Sequence, residues 1–288
     1  MFWMPLALLS AFFQATTDAL TKKSLDGADY YMVAWLRNVL SVPFMLAVVI
    51  FAPFPHLDRT FFLTVCAMLP LEVIGTILYT KAIRLSPLSL TMPFMALTPV
   101  WLLLTSFPLL GEVPSQAGVV GVLILAVGAY LLNAHKLKDG GPLAPIRAIY
   151  HEKGSMIMLA VSGVYALTCD LSKIAVQHSS PLFFSAFYQV AFSLVFTPIT
   201  LGRSKCPLSA MKPQFSKHLA MGAALAATGI FQNLAILQSQ VSYVIAVKRT
   251  SLLFAIGFGY FMFSEKNMRT RLFGSCVMLA GLAVMTLF

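Results

Sequence analysis

Lys248 and Arg249 are adjacent cations inside a stretch of otherwise uncharged, apolar residues. Two charges near the middle of a membrane span are costly, so we expect the pair either to bind an anion or to be neutralised by the protein itself. The guanidinium forks onto a carboxylate or a phosphate, whereas the ammonium acts as a point charge. The internal alternative is a salt bridge to Asp18, Glu72 or Asp170. These residue types predict a binding site for a small organic anion, with the salt bridge as the competing interpretation.

Glu72 is a lone carboxylate in another apolar stretch, Leu-Pro-Leu-Glu-Val-Ile-Gly. A carboxylate inside the membrane can take up a proton in one conformation and release it in another, which predicts a role in proton coupling or in a gate. The alternative is a structural partner for Lys248, Arg249 or Arg37. Arg37 itself either adds positive charge to a substrate cavity or pairs with Glu72.

Asp18 and Asp170 occupy matched positions in two further apolar stretches, and each is followed by a lysine, Lys22 or Lys173. Spacings of four and three residues place each pair on one helix face, so we expect ion pairs within the helices. A gate built from the two carboxylates is the alternative. Hydrogen bonds to a substrate are expected from polar and aromatic residues on the helices that face the cavity. These residues are Gln14, Tyr79, Tyr165, Tyr188, Gln232, Asn233 and Tyr243.

The composition indicates which class of protein must position these side chains. Apolar residues make up 59% of the 288 positions and charged residues only 10%, whereas soluble domains contain about 25% charged residues. Apolar stretches long enough to cross the hydrocarbon core recur along the whole chain. We therefore expect an all-α membrane protein with ten transmembrane helices. The predicted spans are residues 2–21, 30–52, 61–81, 88–110, 115–133, 155–176, 182–201, 217–237, 241–263 and 268–288.

Lys and Arg residues are distributed unevenly between the loops of this arrangement. The odd-numbered loops contain fifteen of the 20, and the even-numbered loops contain only Arg59 and Lys173. Basic residues stay on the cytoplasmic side, so we expect both termini outside and a multi-pass protein of the inner (plasma) membrane. The first span lacks a basic segment before it, which predicts a retained helix. The net charge of +10 then reflects topology, and nucleic acid is not an expected partner.

Patterns typical of enzymes and of metal sites do not occur in the sequence. The four cysteines form no C-x-x-C pair and have no metal-ligand spacing with histidine. There is no H-E-x-x-H, G-x-S-x-G or Walker A pattern. We therefore expect no enzymatic activity, no cofactor, no metal ion and no disulfide.

The two parts of the chain resemble each other at a nearly constant shift. A shift of 152 relates residues 10, 18 and 41 to residues of the same type at 162, 170 and 193, and a shift of 153 does so for 112 and 121 with 265 and 274. A duplicated unit of five spans is odd in number, so its two copies must lie upside down relative to each other. This predicts two inverted five-helix repeats, residues 1–134 and 155–288, joined by a cytoplasmic linker at 135–154. Such repeats are typical of alternating-access transporters, although a duplicated unit can also form a purely structural bundle.

The residues at the ends of spans four and nine carry a family resemblance. Leu-Gly-Glu at 110–112 and Ser-Glu at 264–265 are each followed by Gly nine residues after the Glu and by another Gly seven residues later. This spacing resembles the EamA-type pattern of the drug/metabolite transporter superfamily. The resemblance implies the ten-helix fold and transport, but it says little about the substrate.

The cation pair carries a second, more local resemblance. The stretch at 246–251 is similar to the Lys-Arg pair in the ninth span of triose-phosphate translocators, where the pair contacts the substrate phosphate. Those translocators also use a lysine in span four, and here the equivalent positions are Met95 and Ala96. The resemblance therefore implies an anionic substrate more firmly than a phosphorylated one.

These observations predict a secondary transporter of a small organic anion, which can be phosphorylated, working by alternating access as a monomer or a homodimer. Export of amino acids or other neutral or zwitterionic metabolites is the alternative within transport. From another class of function, a non-transporting membrane scaffold or lipid-handling accessory protein is the alternative. The expected partners are a small molecule and the lipid bilayer.

Overall fold

The computed structural model describes residues 3–26, 28–50, 54–110, 116–131, 151–204, 215–238, 241–264 and 268–287. All regular secondary structure in these ranges is helical, which confirms the prediction of an all-α protein. The first part contains α1 (Trp3–Ser24), α2 (Tyr30–Val39), α3 (Val42–Val49), α4 (Arg59–Leu85), α5 (Leu88–Thr91), a 3-10 helix (Met92–Leu97), α6 (Thr98–Leu110) and α7 (Gln116–Leu131). The second part contains α8 (Lys153–Gln177), α9 (Pro181–Arg203), α10 (Phe215–Gln238), α11 (Val241–Lys248), α12 (Ser251–Phe263) and α13 (Met268–Leu287).

Five helices of the described residues are long and apolar enough to cross a membrane, which confirms a multi-pass membrane protein. They are Tyr30–Val49, which joins α2 and α3, together with α4, α8, α9 and α10. The other predicted spans correspond to helices that are shorter or less apolar. For example, α6 and α12 contain 13 residues each. The number of ten spans therefore stays a prediction.

Predicted spans four and nine are interrupted, whereas the sequence predicted two continuous helices. In span four, a 3-10 helix contains Pro93, which has no N–H to donate. In span nine, Thr250 N donates to Val247 O and Leu252 N donates to Arg249 O, both at 3.0 Å. These are three-residue steps of the 3-10 type, and such tight segments inside longer helices often mark functional sites. The two interruptions lie at positions about 153 residues apart.

The helices pack in pairs that correspond between the two parts of the chain. Helix α1 packs along α10, and α8 packs along α4; α1 also contacts α12, and α8 contacts α6. Helix α7 packs on α13 through glycines. A Cβ atom on Gly128 would lie 2.7 Å from Met278 N, and one on Gly281 would lie 2.9 Å from Gly121 O. These backbones approach closely because the positions lack side chains.

Asp58 links the start of α4 to the end of α8. Its carboxylate accepts a hydrogen bond from Phe61 N at 2.9 Å and caps α4, and its other oxygen lies 2.7 Å from His178 Nδ1. The Phe61 N–H, followed by His178, lowers the pKa of Asp58 below its ordinary value. The sequence assigned no role to His178, which lies 120 positions away along the chain.

The link at Asp58 predicts a dependence of stability on acidity. Because the pKa of Asp58 is lowered on folding, its ionised form stabilises the folded protein above the ordinary carboxyl pKa of about 3.9. This contribution is lost as the pH falls through the lowered value. We expect the melting temperature of the wild type to fall more steeply below about pH 4 than that of Asp58→Asn. Thermal scans of detergent-solubilised protein measure this, and parallel curves for the two proteins would contradict it.

Candidate functional site

A central cavity of about 220 Å³ lies among α1, α2, α4, α8, α9 and α10 and beside both interrupted helices. Among the described residues, five charged side chains line it. The cations are Arg37, Lys248 and Arg249, and the acids are Asp18 and Glu72. Helices distant in sequence therefore bring the main predicted site residues to one place. The predicted polar residues Gln14, Tyr79, Tyr165, Tyr188, Gln232 and Asn233 also line this cavity.

The two arginines of the cavity are buried, and neither forms an ion pair with another described residue. Arg37 is 5% exposed and Arg249 is 7% exposed. Nε and Nη1 of Arg37 and Nε of Arg249 have no hydrogen-bond partner among the described residues. Within the same ranges, neither arginine forms an ion pair with Asp18 or Glu72. The competing interpretation, an internal salt bridge, is thus not seen between these arginines and Asp18 or Glu72, and the three donor atoms lack an acceptor among the described residues.

Lys248 is held by an amide instead of an acid. Its Nζ donates to Gln232 Oε1 of α10 at 2.5 Å. The neighbouring Asn233 Nδ2 donates to Ser185 Oγ of α9, also at 2.5 Å. A neutral acceptor positions the ammonium but does not cancel its charge, so Lys248 remains a cation facing the cavity.

Asp18 is the centre of a hydrogen-bonded cluster that lines the cavity. Tyr79 OH donates to Asp18 Oδ1 at 2.5 Å, and Gln14 Nε2 donates to the same oxygen at 3.0 Å. Arg37 lies over the Tyr79 ring, with its Cζ 5.2 Å from the ring centroid. The carboxylate is 2% exposed. This cluster joins α1, α2 and α4 next to the buried guanidinium.

Lys22 does not form the ion pair with Asp18 that the spacing of four residues predicted. Its Nζ donates to the carbonyl oxygens of Ile83 and Ser86, at 2.5 and 2.7 Å, at the end of α4. Asp18 instead takes its donors from Tyr79 and Gln14. The competing main-chain acceptors of α4 explain the difference. Ser86 Oγ in turn donates to Glu152, the residue that precedes α8.

Glu72 lies on the cavity face of α4 with little hydrogen bonding. Thr76 Oγ1 is 3.5 Å from its Oε1, and no other contact of its carboxylate is found within the described ranges. It follows Met68 by one helical turn on the same face. The carboxylate therefore shares the cavity with three cations and touches none of them directly.

One predicted residue of the described part of the chain does not join this group. Asp170 does not line the cavity, and its Oδ2 accepts a hydrogen bond from Thr105 Oγ1 of α6 at 2.7 Å. Asp18 and Asp170 occupy matched sequence positions, and Asp18 takes its donors from Tyr79 and Gln14. The gate built from the two carboxylates stays a prediction. The side chain of Tyr243 lies outside the described part of the chain.

Several cavity residues carried no signal in the sequence. Four methionines line the cavity, and Phe184 does too. In an apolar span, such side chains cannot be distinguished from residues that face lipid. Tyr188, named among the polar candidates, has a buried hydroxyl without a partner among the described residues. The methionines are Met45, Met68, Met92 and Met95.

Comparison with known proteins places this geometry in context. Residues 1–134 match the EamA-like transporter family, a family of membrane transporters that are not enzymes. No curated protein matches the chain. A solved structure described only as a crystal structure of a protein is similar with a TM-score of 0.70, covering 99% of this chain and 96% of its own at 15% identity. That likeness concerns the fold alone. The sequence resemblance is thus confirmed for residues 1–134, while the likeness of the Lys-Arg pair to that of phosphate translocators stays a prediction.

Proposed function

We propose that this chain, whose first 134 residues match the EamA-like transporter family, is a secondary transporter that binds a small organic anion in its central cavity. The observation that carries this proposal is the pair of buried guanidinium groups, Arg37 and Arg249, whose donors lack partners among the described residues. A buried donor left without an acceptor costs about 1–3 kcal/mol, and more when it is charged. A carboxylate or phosphate in the cavity would supply these acceptors and the missing negative charge.

The interruption of span nine adds to the attraction for an anion. Lys248 ends α11, and Ser251 begins α12. The first N–H groups of a helix carry partial positive charge and bind anions readily. Interrupted helices at corresponding positions of two repeats are also the arrangement that many transporters use around a substrate site. An anion beside Lys248 and Arg249 would therefore meet side-chain donors near the positive start of α12.

We further propose that two inverted repeats of five spans, 1–134 and 155–288, alternate access to this cavity. The sequence shift, the matching interruptions and the corresponding helix pairs favour this arrangement. The distribution of Lys and Arg favours an orientation with both termini outside. A reporter fused after Phe288 that works only in the cytoplasm is expected to be inactive. Activity of that reporter would invert the proposed orientation.

The direct test of the anion proposal is ligand-dependent stabilisation of the purified protein. A ligand that binds only the folded state raises the melting temperature, by an amount that depends on its concentration relative to its Kd. We expect small carboxylates or phosphate esters to raise the melting temperature, and their uncharged amide or alcohol analogues to leave it unchanged. Equal stabilisation by charged and uncharged members of each pair would reject the proposal. Absence of stabilisation by every member would favour the scaffold function instead.

A second candidate, transport of zwitterionic amino acids, is favoured by the position of Glu72. This carboxylate lies in the same cavity as the arginines without touching a cation, so it is available to an ammonium group. An amino acid would place its carboxylate on Arg37 or Arg249 and its ammonium near Glu72. Comparing each amino acid with its deaminated acid separates the two candidates, because only a zwitterion site prefers the amino acid.

A further inference from the structure

The cavity carries a formal charge that limits the charge of its ligand. Arg37, Lys248 and Arg249 contribute three positive charges, while Asp18 and Glu72 contribute two negative charges when ionised, which leaves a net charge of +1. We propose that the substrate is a small monocarboxylate with an apolar or aromatic tail, an inference that rests on the proposed function. The charge balance leads to the single negative charge, and the apolar part of the lining leads to the tail.

The charge argument concerns the step in which the cavity closes around its ligand. Closing removes the groups from water, and net charge in a site that excludes water is strongly unfavourable. A monoanion would bring the net charge of the five lining groups from +1 to zero. A dianion would leave one negative charge, and a neutral ligand would leave one positive charge. The monoanion is therefore the ligand that the closed cavity accommodates best.

The argument for a tail follows from the apolar part of the cavity lining. Arg37 lies over the Tyr79 ring, beside the Asp18 cluster. Met68 and Phe184 line the cavity and belong to one buried apolar cluster. Met45 lines it from α3 and belongs to a second buried apolar cluster. A carboxylate bound by the arginines would leave its tail among apolar side chains of this kind.

The apolar part of the lining suits a tail more than a second acidic group. Methionine side chains are flexible and polarisable, so they adapt to aliphatic and aromatic groups of different shape. The cavity volume of about 220 Å³ suits a short-chain or single-ring acid.

A matched series of ligands tests the proposal at pH 7 in nanodiscs. Phenylacetate is a monoanion, phenylmalonate adds a second carboxylate, and phenylacetamide removes the charge, while acetate removes the tail. We expect phenylacetate to bind at least about tenfold more tightly than each of the other three, which is about 1.4 kcal/mol. Equal binding of phenylmalonate would overturn the charge argument, and equal binding of acetate would overturn the tail.

Variants that change the charge of the cavity provide the second part of the test. Glu72→Gln raises the formal charge to +2, so we expect the preference to shift from phenylacetate to phenylmalonate by at least about tenfold. Asp18→Asn makes the same change if Glu72→Gln fails to fold. Asp26→Asn removes an exposed carboxylate and serves as the matched control. An unchanged ratio in the folded cavity variant would refute charge matching while anion binding stands. If the wild type binds none of phenylacetate, phenylmalonate, acetate and phosphate, the proposed function itself fails.

Discussion

Replacing Arg249 by glutamine is expected to weaken the binding of carboxylates by about 10- to 100-fold, because hydrogen bonds to charged groups contribute about 1.5–3 kcal/mol. The side chain is 7% exposed and its Nε has no partner among the described residues. Under the proposed function, the interaction that this change removes is the one with the ligand. Transport into proteoliposomes measured at low substrate concentration should fall by the same factor.

The stability of this variant separates a binding role from a structural one. Breaking a buried ion pair strands a charge and destabilises the protein, whereas removing an unpaired buried cation does not. Since Arg249 forms no ion pair within the described ranges, the melting temperature of Arg249→Gln should equal or exceed that of the wild type without ligand. Lys23→Gln removes an exposed cation and should change neither property. Loss of stability together with loss of binding would show that Arg249 supports the fold.

Replacing Gly222 by alanine is expected to destabilise the bundle by about 1–3 kcal/mol, the usual cost of overpacking a tight contact. A Cβ atom at this position would lie 2.6 Å from the carbonyl carbon of Leu40 and 2.7 Å from its oxygen. Leu40 joins α2 to α3, and its backbone cannot move aside as a flexible side chain does. Helix α10 would then have to shift away from α2, which carries Arg37. We expect a lower melting temperature and a lower affinity for anions.

Gly257 in α12 provides the matched control for this prediction. A Cβ atom there would meet nothing within 4 Å. Alanine is favoured over glycine inside a helix by about 1 kcal/mol, so Gly257→Ala should keep or raise the melting temperature. Thermal scans in the same detergent compare the melting temperatures of the two variants with that of the wild type. If Gly222→Ala melts at the temperature of the wild type, the close approach of α10 to Leu40 is not required for stability.

The sequence predicted the helical class and the main charged residues because each depends on a local or compositional signal. A long apolar stretch that crosses a bilayer forms a helix, because a helix bonds every backbone group within its own segment. Charged residues in such stretches are rare and costly, so Arg37, Glu72, Lys248 and Arg249 were identified as site candidates. The structure places all four around one cavity.

The contacts that sequence reasoning missed are those decided between helices. The spacing of Asp18 and Lys22 predicted a pair within α1, but Tyr79 lies 61 residues away in sequence and donates to that carboxylate. The interruption at Lys248 contains no glycine or proline, so nothing local distinguished it from a continuous helix. Pro93 was a visible signal for the corresponding interruption in span four. Apart from Pro93, these features depend on contacts between helices that local sequence does not indicate.

Lys22 binds main-chain oxygens, and this choice of acceptor affects how the protein can change over evolutionary time. Every residue type at position 83 offers the same carbonyl group, so α4 can vary there without losing the connection to Lys22. Substitutions at position 83 therefore preserve this hydrogen bond, whereas substitutions of Lys22 remove its donor. Related proteins that keep a lysine at position 22 should retain this attachment even where the residue at position 83 differs.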